Sequence, residues 1–160
     1  MPPNRIVRTI LSAGLIAGTL DILAACTQFY INTGKNPEIV LKYISSAVFG
    51  REEAYNNGMV MSLAGLLFHY LIATGFAALF MFLYLKIKWI RDNIILSGIL
   101  FGLFAWALMN LAVVPMSRIT QAPFQWSKAI VAMLILIFMI GLPIAMITRW
   151  GLKRSREFTT

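Results

Sequence analysis

The run from Ala129 to Thr148, AIVAMLILIFMIGLPIAMIT, carries no charged side chain. As a helix rising ~1.5 Å per residue it covers ~30 Å, the thickness of a bilayer's hydrocarbon core. Three further stretches read the same way. Residues 9–31 are interrupted only by Asp21, residues 59–85 hold His69 as their one group titrating near neutrality, and residues 93–114 are closed by Pro115. Lipid offers backbone donors and acceptors no partner, so all four must be helical. The expected class is all-α: one domain over residues 1–160, an integral membrane four-helix bundle with spans at about 9–31, 59–85, 93–114 and 129–148.

Composition agrees. Of 160 residues, 59% are hydrophobic and 12% charged, against roughly 45–50% and about 25% in soluble domains. So few charges cannot cover a water-facing surface, which argues against a soluble globule and against a disordered tail. A single cysteine, Cys26, excludes an internal disulfide. The net charge of +8 lies in short clusters between the apolar runs, with no continuous basic face. That is a topology signal, and nucleic acid is not an expected partner.

Arg5, Arg8, Lys86, Lys88, Arg91, Arg149, Lys153, Arg154 and Arg156 flank the spans on one side. Lys35, Lys42, Arg51, Arg118 and Lys128 flank them on the other, together with Glu38, Glu52 and Glu53. The imbalance places both termini in the cytoplasm. Leu23-Ala24-Ala25-Cys26 also has the form of a bacterial lipoprotein cleavage box. Asp21 inside the apolar run, and the continuation through Phe29, Tyr30 and Ile31, favour an unmodified cysteine packed in a helix.

The connection between the first two spans is patterned. Asn36-Pro37-Glu38 is a helix start, with a capping side chain, a proline at the first position and an acid in the first turn. Ile39, Val40, Tyr43, Ile44, Ala47 and Val48 recur at helical spacing, Lys42, Ser45 and Ser46 take the other face, and Gly50 ends the segment. Residues 37–48 are therefore expected to form a short amphipathic helix, most simply along the membrane interface, with capping the bundle or dipping into it as the alternatives. Arg51-Glu52-Glu53 reads as a charged turn, and Asn56-Asn57-Gly58 breaks the chain before the second span.

Small residues line one face of three spans, where helices can approach closely. Gly14 and Gly18 lead to Asp21, Ala25 and Gln28. Ser62 and Gly65 lead to His69 and Ala73, and Gly98 and Gly102 lead to Trp106 and Asn110. Each seam thus continues into one strongly polar side chain. Asp21 lies about 18 Å and His69 roughly 15 Å from opposite boundaries, which brings them near one level, with Asn110 nearer the outer face. An aspartate in mid-span costs about 2.5–3.5 kcal/mol, so it should face inward with a partner, and His69 is the best candidate. Asp21, His69, Asn110 and Gln28 form the candidate polar cluster. One reading is a proton-handling or ligand-binding group. The other is an interhelical hydrogen bond that fixes register. Trp89, Trp126, Trp150 and Tyr84 fall at span ends, where an aromatic belt belongs, whereas Trp106 does not.

No catalytic constellation is present. One His and one Cys cannot build a zinc site. His69 with Met109 as haem ligands is most simply an accident of a methionine-rich apolar chain. No phosphate-binding glycine loop or nucleophile elbow occurs. The expectation is no cofactor, no metal and no enzymatic activity. The leading reading is a structural or accessory membrane component whose partners are the bilayer and, through the seams, a second copy or another membrane protein. The alternative is a small transporter or proton-linked permeation unit using Asp21 and His69.

Five stretches carry a resemblance: Gly18-Thr19-Leu20-Asp21-Ile22-Leu23-Ala24-Ala25, Asn36-Pro37, residues 45–58 (SSAVFGREEAYNNG), His69, and Met109-Asn110 with Val114-Pro115-Met116-Ser117. Over residues 10–118 the chain resembles a family of small bacterial four-helix inner-membrane proteins, a domain of unknown function. Relatives tend to carry Ala-Ser-Gly in place of Ser45-Ser46-Ala47 and Gly-Gly in place of Asn57-Gly58. The resemblance implies a bacterial inner-membrane location and the Asp, His and Asn positions as signature residues; it implies no activity.

Overall fold

The structure, a computed structural model, describes residues 3–118 and 125–153. Among these, seven helices follow one another: α1 (Pro3–Thr33), α2 (Glu38–Phe49), α3 (Arg51–Asn56), α4 (Gly58–Lys86), α5 (Lys88–Asp92), α6 (Ile94–Met116) and α7 (Trp126–Lys153). The long helices α1, α4, α6 and α7 are apolar and long enough to cross a membrane, each where the hydropathy of the sequence puts a span. Arg154 and Arg156 of the charge asymmetry lie outside the described residues.

Local signals set most boundaries. Gly34, at φ 65°, stops α1 and returns its N–H to Tyr30 O at 2.8 Å. Asn36 Oδ1 caps α2 by accepting the Glu38 N–H at 2.9 Å. Gly50, at φ 87°, ends α2 as expected. The Arg51-Glu52-Glu53 turn is instead the start of α3, with Glu52 and Glu53 in its first turn.

Glycine seams hold the long helices together. A Cβ at Gly14 would stand 2.7 Å from Thr74 Cα, and one at Gly18 3.0 Å from Ala73 Cβ, so α1 packs on α4 almost backbone to backbone. Gly98, Gly102 and Gly141 do the same for α6 and α7. At the terminal end Gly151 of α7 meets Thr9 of α1. The expected seams therefore form, and the chain fills all of them itself; a further partner would have to use other surfaces. Helices α4 and α6 have no such seam. Phe101 bridges them instead, meeting the Phe80 ring at 5.0 Å and the Phe76 ring at 6.1 Å, both edge to face. Tyr84, expected in an aromatic belt, is buried in this layer against Phe80. Trp89, Trp126 and Trp150 are exposed at helix ends.

Two expectations are corrected. Pro115 does not close α6: the helix continues to Met116 through a wide π-helical turn at Met109–Val113. Helix α7 has a matching π turn at Ile137–Gly141, ahead of Pro143. A proline collides with the carbonyl four residues earlier, here Leu111 and Met139, and each lies inside the widened turn that relieves the collision.

The second correction concerns α2. Its serine face is the buried one, with Ser45 at 0% and Ser46 at 3% exposure, while Val48 and Phe49 are largely exposed. Helix α2 lies on α4, with the Leu41 backbone crossing at Gly65. Only small side chains permit that approach. Ser45 and Ser46 donate to Lys42 O and Tyr43 O at 2.9 and 2.6 Å, so neither hydroxyl is stranded by burial. The Glu38 carboxylate completes the join, accepting from Ser62 Oγ at 2.7 Å and pairing with Lys42 at 3.1 Å. Both contacts hold the Glu38 carboxyl below its ordinary pKa, the Ser62 bond most.

Candidate ligand cavity between the helices

Where α4 and α6 stand apart, the space beyond the phenylalanine layer is open. It forms a cavity of about 340 Å³ that draws on α1, α2, α4, α6 and α7. Its floor is Phe76, whose ring meets Phe101. Val40, Tyr43 and Ile44 of α2 roof it on the opposite side.

Helical spacing delivers the polar wall groups. Asp21, Ala25 and Gln28 follow one face of α1 beyond the Gly14/Gly18 seam, and His69, Ala73 and Phe76 follow one face of α4. Trp106 and Asn110, one turn apart, come from α6. All four residues of the expected polar cluster thus line one cavity. The α4 stripe splits, however: His69 and Ala73 face the cavity, whereas Ser62 and Gly65 lie under α2.

The expected bond between Asp21 and His69 does not form. His69 Nε2 lies 2.8 Å from Gly18 O. A carbonyl only accepts, so Nε2 carries the proton and His69 donates to the α1 backbone. Gly18, with no side chain, leaves room for the ring to reach that carbonyl. The neighbouring Thr19 and Tyr70 hydroxyls bond each other at 2.9 Å, a second tie between the same helices. Asp21 makes no hydrogen bond or ion pair among the described residues, although His69 lies within electrostatic reach. Asn110 donates its Nδ2 to Trp106 O at 2.9 Å, inside the wide turn of α6, which leaves its carbonyl oxygen as the end a guest could meet.

The remaining walls are apolar: Ile22, Ile72, Met109, Ile135, Leu136 and Ile140. An apolar chamber with a few convergent polar groups is the usual build of a small-molecule site. Periodicity put Tyr43 on the apolar face of α2 without marking it as a cavity wall, and it does not show the π turns, although Pro115 and Pro143 inside apolar runs do signal local distortion. Trp106, out of place for a belt, is a cavity wall. Cys26 lies in the unbroken run of α1, half-buried, 3.9 Å from Pro37 O and outside the cavity. Among the described residues no three of His, Cys, Asp and Glu gather around a common point. No protein-family model, curated protein or solved structure matches this chain, so the functional reading rests on the cavity itself.

Proposed function

We propose that this chain is a non-enzymatic accessory protein of the bacterial inner membrane that binds a small, largely apolar molecule between its helices. Asp21, His69 and Asn110 would meet the guest's polar end. One observation carries the reading: polar groups from three spans converge on one cavity, and Asp21 is not consumed by a bond to His69. An unpaired aspartate inside a span is costly, which argues for a purpose beyond packing. The volume, about 340 Å³, sits at the small end of ligand pockets.

The surroundings support a membrane setting. Leu11, Leu15, Leu63, Leu67, Leu71 and Phe138 present apolar surface outward from the long helices. Exposed Val48 and Phe49 give α2 an outer apolar edge suited to the interface. Arg5, Arg8, Lys86, Lys88, Arg91, Arg149 and Lys153 flank the end carrying the termini of α1 and α7, which favours a cytoplasmic location for it. The resemblance noted above adds the bacterial inner membrane. Proton-linked permeation is less well supported, because the Phe76–Phe101 layer closes the cavity toward that end. A purely structural role has one observation in its favour, the His69–Gly18 tie.

The test uses 1-aminoanthracene, an apolar aromatic amine whose fluorescence rises in a dry site, added to the detergent-solubilised chain. The expected result is saturable enhancement above that of empty micelles, abolished by the cavity-filling Ala132→Phe and weakened by Asp21→Asn. Equal enhancement in the parent and Ala132→Phe would reject a binding cavity and leave the structural role.

A further inference from the structure

We infer that the cleft between the start of α1 and the end of α7 is a binding site for the phosphate of an anionic phospholipid. This site is separate from the cavity. It measures about 580 Å³ and lies at the opposite end of α1 from Gln28, framed by Asn4, Arg5, Arg8 and Ser12 with Trp150 of α7. Arg5, Arg8 and Ser12 follow one another at three- and four-residue spacing, so two guanidinium groups and a hydroxyl face the same cleft.

Arg91 and Arg51 are engaged within the chain, and Arg5 and Arg8 are not. Arg91 donates to Tyr84 O and Leu85 O at 3.2 and 2.9 Å, closing the end of α4. Arg51 stacks over the Tyr55 ring. Arg5 and Arg8 make no ion pair or side-chain hydrogen bond among the described residues, and the cleft they line includes no carboxylate. Two unspent forks beside a hydroxyl and an amide match a phosphodiester, which accepts bidentate bonds from guanidinium.

Position selects a lipid as the source of that phosphate. The apolar run of α1 begins at Thr9, directly beyond the two arginines, so the cleft sits at the boundary where headgroups lie. Trp150, 66% exposed on its rim, is placed as interfacial tryptophans are. Basic clefts between helices on the cytoplasmic side are known to take anionic headgroups. Below the cleft the outward Leu11 and Leu15 offer an acyl chain a surface continuous with the site.

The experiment measures thermal stability of the full chain in neutral detergent while phosphatidylglycerol, phosphatidylcholine or inorganic phosphate is added, with native mass spectrometry counting retained lipid. Phosphatidylglycerol should raise Tm saturably and stay bound at one copy per chain, whereas phosphatidylcholine and inorganic phosphate should do neither. Arg5→Gln with Arg8→Gln should lose at least tenfold in phosphatidylglycerol affinity. The Arg5→Lys, Arg8→Lys pair should keep part of it, and Lys86→Gln with Lys88→Gln should keep all of it. Equal stabilisation by both lipids, or an undiminished response in the double Gln variant, would overturn the site. A response to inorganic phosphate matching that to phosphatidylglycerol would overturn the lipid assignment. If the double Gln variant proves unfolded, the Lys pair decides: full loss or full retention of the preference for phosphatidylglycerol over phosphatidylcholine contradicts a bidentate phosphate site.

Discussion

Replacing Gly141 by alanine tests the seam that separates a packed pair, α6–α7, from the splayed pair, α4–α6. The new methyl group would lie 2.8 Å from Gly102 N and 3.0 Å from Gly102 Cα, and closer still to Gly98 O. All three are backbone atoms in helices, so no side chain can swing aside. Ordinary carbon contacts lie at ~3.5–4.0 Å, and a gap of ~0.5–1 Å forfeits a quarter to a half of each dispersion well. The helices must part by about that distance, loosening the contacts of Gly98 with Leu142 and Ala145 and of Gly102 with Ile137 as well. Overpacking of this kind costs about 1–3 kcal/mol. We expect about 2 kcal/mol, a shift of roughly 30-fold in the unfolding equilibrium. The matched control is Gly75→Ala, where nothing lies within 4 Å of the new Cβ. Helix propensity alone should leave that variant unchanged or up to ~1 kcal/mol more stable. Unfolding in mixed micelles with increasing dodecyl sulfate, followed by tryptophan fluorescence, reads both variants against the parent. Indistinguishable stability for Gly141→Ala and Gly75→Ala would refute backbone-to-backbone packing of α6 on α7.

Three further outcomes follow from the polar contacts. His69→Ala should cost about 0.6–1.7 kcal/mol through loss of the bond to Gly18 O. Because His69 lies within electrostatic reach of Asp21 but makes no bond to it, its double-mutant cycle with Asp21→Asn should leave a coupling below about 1 kcal/mol; a larger coupling would show that the two side chains do bond. Glu38 predicts a pH response. Its carboxyl is held below the ordinary glutamate pKa by Ser62 and Lys42, so the stabilisation of α2 on α4 is complete above the ordinary value and lost as pH falls through the lowered one. In a Cys26→Ala background, thiol modification of Ser45→Cys relative to exposed Phe49→Cys should rise on acidification, and Glu38→Gln should flatten that ratio. A ratio that stays constant in the Glu38 protein would contradict the assignment.

The sequence was most informative where one physical requirement dominates. Apolar length placed four helices near their observed positions, and the glycine spacing on α1 and α6 marked the faces that pack. The polar residues extending those seams do share a cavity, since a helix face continues in register across several turns. What failed was pairing: Asp21 and His69 were matched by depth, but His69 takes the backbone carbonyl that Gly18 leaves accessible. The α2 face failed for another reason. Outside water, a hydroxyl bonded to its own helix packs as well as a methyl group, and the Leu41–Gly65 crossing selects small side chains over apolar ones. Tyr84 followed the same logic in reverse, drawn inward by the ring layer around Phe80.

The cavity is built rather than left over. Among the four long helices, three pairs are drawn together by glycine, and the pair α4–α6 is held open by Phe76, Phe80 and Phe101, rings too large for a seam. The two proline-induced π turns fall on the walls of this opening: Met109 and Asn110 come from one, and Ile140 from the other. A π turn carries an extra residue, so it rotates the side chains beyond it and interrupts the regular interdigitation that would otherwise fill the gap. The two wide turns lie at different heights, since Ile137–Gly141 packs beside Gly98 and Gly102, two turns before Met109 on α6, yet both supply walls to the chamber that Asp21 and His69 line. A bundle selected only for stability would keep its helices regular there, because every departure from i→i+4 bonding inside a membrane must be satisfied by the protein itself. The irregularity and the Asp21 carboxyl, which makes no hydrogen bond or ion pair among the described residues, share one chamber, and a guest that uses both explains them together.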